Sequence, residues 1–150
     1  MDLTSIKYGV YGGLAGGVVF GAMMGIMGRL SMVGNMVGIP TIWAGFLTHM
    51  MISATIGAMF ALLVQWTGWS AGIGTGLSYG ALWWILGPLT LMPLFMGMGI
   101  GASWNATALA QAMPSLMGHL IFGGILGSTY AWLDHANAHG YAYPHHAGAV

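Results

Sequence analysis

The sequence predicts an all-α integral membrane protein, a four-helix bundle built from two tandem transmembrane hairpins. Three observations support this fold class: 57% of the 150 residues are hydrophobic, only 3% are charged, and the mean hydropathy is +0.80. A soluble domain typically has about 25% charged residues. The apolar residues form segments of roughly 20 residues, the length needed to cross the roughly 30 Å hydrocarbon core of a bilayer.

Four such segments are predicted to be the membrane spans, within a single transmembrane domain at residues 1–133. We expect the first span to stay in the mature protein, because its apolar run is too long for a signal peptide and no clear cleavage site follows it. Pro88 and Pro93 are expected to kink or end the third span. The polar stretch at residues 93–113 is interpreted as a connecting loop with room for a short interfacial helix. The predicted spans are residues 8–28, 43–66, 72–92 and 114–133.

Charged and aromatic residues mark the ends of these spans. The four formally charged residues, Asp2, Lys7, Arg29 and Asp134, all lie at or near the ends of apolar segments. Lys7 and Arg29 flank the first span on opposite sides, so the positive residues do not indicate its orientation. Tryptophan is enriched at membrane interfaces, and the tryptophans at predicted span ends are Trp43, Trp66, Trp69 and Trp132.

Glycine recurs at every fourth position through the first span, although each glycine costs a helix about 1 kcal/mol relative to alanine. In a membrane, small residues four apart form a flat groove that lets two helices approach closely. The other spans carry similar ladders of small residues, so we predict that the four helices pack through them. The glycines predicted to pack are Gly9, Gly13, Gly17, Gly21 and Gly25, then Gly57, then Gly76 and Gly80, and finally Gly123 and Gly127.

Two internal alignments relate the halves of the chain. Residues 17–28 align with residues 76–87 at an offset of 59, and the segment that begins at His49 aligns with the segment that begins at His119 at an offset of 70. We interpret the pattern as a tandem repeat of two hairpins, with an insertion in the second connecting loop. Each unit contains two spans, so the copies would enter the membrane in the same direction, related by a pseudo-two-fold axis along the membrane normal.

Two histidines lie on the small-residue ladders of the second and fourth spans. Residues four apart share one face of a helix, so His49 lies on the face of Ser53 and Gly57, and His119 lies on the face of Gly123. We therefore expect both rings to face inward at equal depth, on the side away from the termini. An imidazole there needs a hydrogen bond, a metal ion or water.

Three interpretations of His49 and His119 are open at this point. In the structural one, each ring hydrogen-bonds a carbonyl or hydroxyl group across a helix interface and fixes the packing. In the second, the rings ligate a haem iron or a copper ion between facing helices. In the third, the rings line a path for a proton, an ion or a small solute.

Methionine and the C-terminal histidines give further indications of metal binding. Thioethers are soft ligands that suit Cu(I), but the 14 methionines are scattered through apolar helices, where methionine commonly fills gaps. Residues 134–150 form a polar, histidine-rich tail in which His145 and His146 are candidate metal ligands. A disordered polar end explains the same composition without a metal.

The sequence has no pattern typical of an enzyme site, so we predict that the protein is not an enzyme. It contains no cysteine, no paired carboxylates, no Ser-His-Asp arrangement, no phosphate-binding loop and no zinc motif. A formal net charge of zero argues against nucleic acid as a partner. We expect no cofactor in the first instance, with haem or copper as the alternatives.

Three segments resemble those of small bacterial multi-spanning membrane proteins of uncharacterised function: HMMISATIGAMFALL, YGALWWILGPLTLMPLFMGM and PSLMGHLIFGGILGSTYAWL. The resemblance implies a multi-pass protein of the bacterial inner membrane and carries no activity with it. From the small-residue faces we predict a membrane subunit or scaffold, in contact with lipid and with other subunits or a second copy. The alternatives are a haem- or copper-binding protein that uses His49 and His119, and a small-solute or proton transporter or channel.

Overall fold

This computed structural model describes residues 2–140, without the side chains of residues 139 and 140, and the regular secondary structure in them is entirely helical. Four helical stretches are long and apolar enough to cross a membrane: Leu3–Ile26, Ile42–Thr67, Ile73–Phe95 and Ala106–Ala138. They confirm the predicted all-α membrane fold with four spans. The helices are α1 (Leu3–Ile26), α2 (Leu30–Asn35), α3 (Ile42–Thr67), α4 (Ile73–Leu86), α5 (Met92–Phe95) and α6 (Ala106–Gly140), with a π-helical segment (Gly87–Leu91) between α4 and α5.

The first two spans begin at side chains that cap their helices. The Asp2 carboxylate accepts a hydrogen bond from the Thr4 amide at 2.9 Å, so α1 begins well before the predicted start at residue 8. The Thr41 hydroxyl accepts one from the Ala44 amide at 3.2 Å. Both bonds satisfy amides that a helix leaves free at its N-terminus. The second span ends at Gly68, whose φ of 68° is the left-handed conformation that glycine adopts most easily.

The third span continues through both of its prolines instead of ending near residue 92. Pro88 and Pro93 lack an amide hydrogen, so a regular α-helical ladder is interrupted there. The backbone adapts through the π-helical segment, in which hydrogen bonds reach five residues back. The Thr90 hydroxyl follows the same spacing and donates to the carbonyl of Ile85 at 2.9 Å. The proline-rich stretch therefore stays helical as far as Phe95.

The fourth span, α6, differs most from the sequence prediction. About half of the predicted loop at residues 93–113 is helical in the structure, because α5 ends at Phe95 and α6 begins at Ala106. The side chain of Asn105 accepts a hydrogen bond from the Ala108 amide at 3.0 Å and caps this earlier start. Pro114 lies inside α6, and the helix continues into the first part of the predicted tail. Polarity predicts where a helix leaves the membrane, whereas capping decides where the helix begins.

Close helix crossings at glycine hold three sides of the bundle together. α1 packs against α3 and α6, and α4 packs against α6. A Cβ on Gly9 would collide with the carbonyl of Gly57, and a Cβ on Gly76 would collide with the carbonyl of Gly123. A side chain at these positions would push the helices apart, so the glycine ladders are used inside the chain.

Nine of the ten predicted packing glycines lie at these crossings, and Gly25 is the exception. Gly25 is exposed, and the nearest atom to a Cβ there is a methyl group of Leu30 at 3.5 Å. The pattern of every fourth residue omits two further glycines of α1: Gly12 packs against the backbone of Leu126, and Gly16 packs against that of Phe122. α1 therefore has two small faces, one for α3 and one for α6.

Aromatic side chains close the fourth side of the bundle, between α3 and α4. The Tyr79 hydroxyl donates to the carbonyl of Ile56 at 3.0 Å, and its ring packs edge-on against Phe60 with centroids 5.1 Å apart. Phe60 also packs against Tyr130 of α6, with centroids 5.7 Å apart. We refer to Phe60, Tyr79 and Tyr130 as the aromatic layer, because they fill the middle of the bundle.

Candidate functional site

His49 lies at the crossing of α1 and α3, and only 8% of its surface is exposed. Its Nε2 forms a hydrogen bond of 3.0 Å with the carbonyl oxygen of Gly17. A carbonyl oxygen can only accept, so Nε2 carries the proton and Nδ1 keeps the lone pair of the neutral ring. Gly21 leaves the room for this ring, since a Cβ there would lie 3.1 Å from Cδ2 of His49. His49 is thus bonded to α1 in one tautomer.

His119 has the opposite tautomer. Its Nδ1 donates to the carbonyl oxygen of Ser115, one turn earlier on α6, at 2.8 Å. The lone pair therefore lies on Nε2. The backbone opposite does not crowd that atom, because even a Cβ on Gly87 would stay 3.7 Å away. Histidines that ligate metals commonly donate one ring N–H to a carbonyl and present the other nitrogen to the metal. His119 has this arrangement.

Phe20 of α1 packs edge-on against both imidazoles. Its ring centroid is 5.4 Å from that of His49 and 4.8 Å from that of His119. These two distances limit the separation of the imidazole centroids to about 10 Å, so both rings lie in one layer of the bundle. The sequence predicts two inward-facing histidines, and the structure places both on the wall of one cavity.

The cavity has a volume of about 520 Å³ and lies at the end of the bundle away from the N-terminus. It forms where the ends of α1, α3, α4 and α6 meet the short helices α2 and α5. Its volume falls within the range of about 300–1,000 Å³ that is typical of small-molecule sites. Most of the lining is apolar. Besides the histidines and Trp83, the lining includes the polar residues Arg29, Ser53, Ser103, Gln111 and Ser115.

Methionine is concentrated in this cavity, although the sequence suggests that it is scattered. Half of the 14 methionines contribute to the lining, and they come from α1, α2, α5 and the connections next to them. These segments meet only in the folded chain, which is why sequence reasoning missed the cluster. The density of methionine over residues 23–36 is the one local signal for it. The cavity methionines are Met24, Met27, Met32, Met36, Met92, Met96 and Met98.

Two adjacent tryptophans at this end of α4 differ in their hydrogen bonding. Trp84 donates from Nε1 to the carbonyl of Ala112 at 3.0 Å and so ties α4 to α6. Trp83 lines the cavity, and its Nε1 is buried without a hydrogen-bond partner among the described residues. A buried donor of this kind is uncommon in native proteins. The ring of Trp83 packs edge-on against Tyr79, with centroids 6.2 Å apart.

The atoms that could ligate a metal limit which of the predicted cofactors, haem or copper, fits this cavity. A haem held between the two histidines would require Nε2 of His49 to leave Gly17 and Phe20 to leave both rings, so this arrangement does not fit. The described side chains, which end at residue 138, contain no group of three His, Cys, Asp or Glu residues that could hold a metal ion. Beyond the two histidines, the side-chain atoms of the lining that could ligate a metal are thioethers, serine hydroxyls and the Gln111 amide. His145 and His146 lie outside the described residues.

Comparison with known proteins found no matching family model, no matching curated protein and no matching solved structure. The resemblance to small bacterial multi-spanning membrane proteins therefore stays a prediction. Function has to be inferred from the cavity and its residues.

Proposed function

We propose that this multi-pass membrane protein binds a small ligand or a metal ion in the cavity, with His119 as the principal ligating residue. The observation that carries the proposal is the orientation of His119: Nδ1 is bonded to Ser115, and the lone pair of Nε2 is free at the cavity wall. Polar side chains inside membrane proteins are rare and usually have a function. We propose the bacterial inner membrane as the location, on the sequence resemblance alone.

The subunit or scaffold role predicted from the sequence has less support than the cavity. It depends on small-residue faces beyond those that four helices need for themselves. The glycine ladders pack against other helices of the same chain, as do Gly12 and Gly16. Large apolar side chains such as Val18, Leu47 and Met51 are exposed on the outer surface and suit contact with lipid. A partner subunit or a second copy remains a prediction, which native mass determination tests.

A binding role also suits the lining better than catalysis or transport. The titratable side chains in the lining are His49, His119 and Arg29, and no carboxylate lies among the described lining residues. A general acid or base pair is therefore not assembled there. Beyond the cavity the aromatic layer fills the bundle, with Phe60 fully buried and Tyr130 2% exposed. We therefore propose a non-enzymatic site that is closed at its inner end rather than a path across the membrane.

The experiment is to purify the full chain in mild detergent and to measure its optical spectrum, its metal content and its native mass. We expect a bound species in the unmodified protein that is lost in His119→Gln and retained in His135→Gln. His135 is a suitable control because it lies near the end of α6 on the far side of the aromatic layer. Equal occupancy in both variants, or an unmodified protein that carries and takes up nothing, would contradict the proposal.

A further inference from the structure

We propose that the ligand is Cu(I), captured by methionine thioethers at the mouth of the cavity and bound at its inner end by His119. This inference rests on the proposed function, because it assigns an occupant to the same cavity. It involves no redox step, since the ion enters and stays as Cu(I). The carrying observation is that the thioethers and the free imidazole nitrogen line one cavity.

The cavity methionines differ in exposure. Met98, Met96, Met27 and Met32 are 61%, 48%, 42% and 37% exposed, so the cavity opens among the methionines of α2, α5 and the connections next to them, and we call this region its mouth. Met24, Met36 and Met92 are partly buried, and His49 at the inner end is 8% exposed. A soft ion that enters from water would therefore meet exposed thioethers first and the imidazoles last.

Two methionine pairs have the spacing of a chelating unit. Met32 and Met36 lie four residues apart at α2, and Met92 and Met96 lie four residues apart at α5. Met36 and Met96 are the residues that directly follow α2 and α5, so each pair lies about one helical turn apart. Both pairs line the cavity. The mouth thus has thioethers in pairs on two different segments.

The rest of the lining selects against other ions. Mg²⁺ and Ca²⁺ require several oxygen ligands, usually carboxylates. The described lining contains no carboxylate. Thioether sulfur is a soft ligand that selects Cu(I), and imidazole also binds copper. Arg29 is the one charged residue in the lining, and it is exposed to solvent, so its repulsion of a cation is screened. A monovalent ion with neutral ligands is the cation that this site fits best.

An apolar occupant is the competing outcome. Methionine is flexible, and methionine-rich surfaces also bind varied apolar molecules. A lipid tail or another apolar molecule in the cavity would not depend on sulfur, because leucine has a similar volume and similar polarity. Substitution of methionine by leucine therefore separates a metal site from an apolar pocket while it preserves the packing.

The test is an anaerobic titration of the full chain with Cu(I) against a chromophoric Cu(I) chelator, followed by X-ray absorption spectroscopy. The mouth variant combines Met32→Leu, Met36→Leu, Met92→Leu and Met96→Leu. The matched control is Met59→Leu with Met117→Leu, since both side chains are exposed and neither lines the cavity. All proteins carry His145→Gln and His146→Gln, which removes adventitious binding by that histidine pair.

Loss of even an outer-sphere partner costs about 10- to 100-fold in metal affinity, so we expect the mouth variant to bind Cu(I) at least about tenfold more weakly. The control should bind like the parent protein, and the absorption spectrum should show sulfur ligands. Equal affinity in the mouth variant, or a copper centre with nitrogen and oxygen ligands only, would overturn the inference. Size-exclusion chromatography verifies that each variant is folded.

Failure of this inference is distinguishable from failure of the proposed function. If Cu(I) does not bind but a copurifying molecule seen by native mass spectrometry is lost in His119→Gln, the cavity binds something else and only the copper assignment falls. If neither Cu(I) nor any copurifying molecule depends on His119, the proposed function falls as well. Arg29→Gln adds an independent check: it should leave Cu(I) binding intact, whereas an anionic ligand would be weakened.

Discussion

The imidazole of His49 donates from Nε2 to the carbonyl oxygen of Gly17 at 3.0 Å, and this bond joins α3 to the glycine ladder of α1. Gly17 serves the interface twice: it has no side chain that would collide with Ser53, and its carbonyl holds the histidine. The two histidines therefore differ in their bonding. His49 is bonded across a helix crossing, whereas Nε2 of His119 is left unbonded at the cavity wall, where we propose that the ligand binds.

Replacement of His49 should affect stability more than binding. His49→Leu removes the bond to Gly17, and hydrogen bonds between membrane helices contribute about 1 kcal/mol. We expect the free energy of unfolding in mixed micelles to fall by roughly that amount. Thr55→Val is the control, because the Thr55 hydroxyl is exposed and bonds only to Met51 of its own helix. A larger loss of ligand in His49→Leu than in His119→Gln would contradict this division of roles.

Gly74 and Gly76 lie two residues apart on α4, on opposite faces of the helix. Replacement by alanine should change the stability of the protein in opposite directions at these two positions. A Cβ on Gly76 would collide with the backbone of Gly123, whereas a Cβ on Gly74 would have nothing within 4 Å. Gly76→Ala should therefore destabilise the bundle by about 1–3 kcal/mol, as overpacking does. Gly74→Ala should be neutral or stabilising, because alanine favours a helix. Unfolding of both variants in mixed micelles measures the difference.

Replacement of Trp84 should lower the stability of the protein, whereas replacement of its neighbour Trp83 should affect ligand binding. Trp84→Phe removes the hydrogen bond to Ala112 and should lower the free energy of unfolding by about 1 kcal/mol. Trp83→Phe removes a buried donor that forms no hydrogen bond of this kind within residues 2–138, so stability should change little. If Trp83 donates to the occupant of the cavity, Trp83→Phe should weaken binding instead. Equal stability losses in the two variants would contradict the assignment.

Asp2 should make the N-terminus of α1 sensitive to acid. The Thr4 backbone amide donates to the Asp2 carboxylate and lowers its pKa. Because the folded pKa is the lower one, the stabilisation is complete above the unfolded pKa and is lost as the pH falls through the folded pKa. The chemical shift of the Thr4 amide should follow that titration in the parent protein and be flat in Asp2→Asn. A flat profile in both proteins would show that the cap is not formed.

The tandem repeat stays a prediction with a defined test. Gly17 lies against Ser53, and Gly76 lies against Gly123. The offsets of 59 and 70 residues relate the first pair to the second, as a repeat of two hairpins requires. Residues 8–66 should superpose on residues 72–133 about an axis along the membrane normal. Halves that fail to superpose would reject the repeat and leave the bundle.

Local sequence patterns are sufficient for the membrane class, the four spans and the helix faces. Composition and segment length set the class, because the bilayer imposes a fixed apolar length. A spacing of four identifies the face on which His49 and His119 lie, since the helix period is a local property. The early start of α6 is harder to predict from the sequence, because the cap at Asn105 sets the first residue of the helix without changing the hydropathy.

Only the tertiary structure decides which faces meet and what the cavity contains. Spacing along one helix shows that α1 is rich in glycine, but the crossings decide that Gly9 packs against α3 and Gly12 packs against α6. Met32 and Met92 are far apart in the sequence and line one cavity because α2 and α5 fold over the same end of the bundle. The tautomer of His119 depends on its bond to Ser115. These features depend on contacts between distant segments, which no local period encodes.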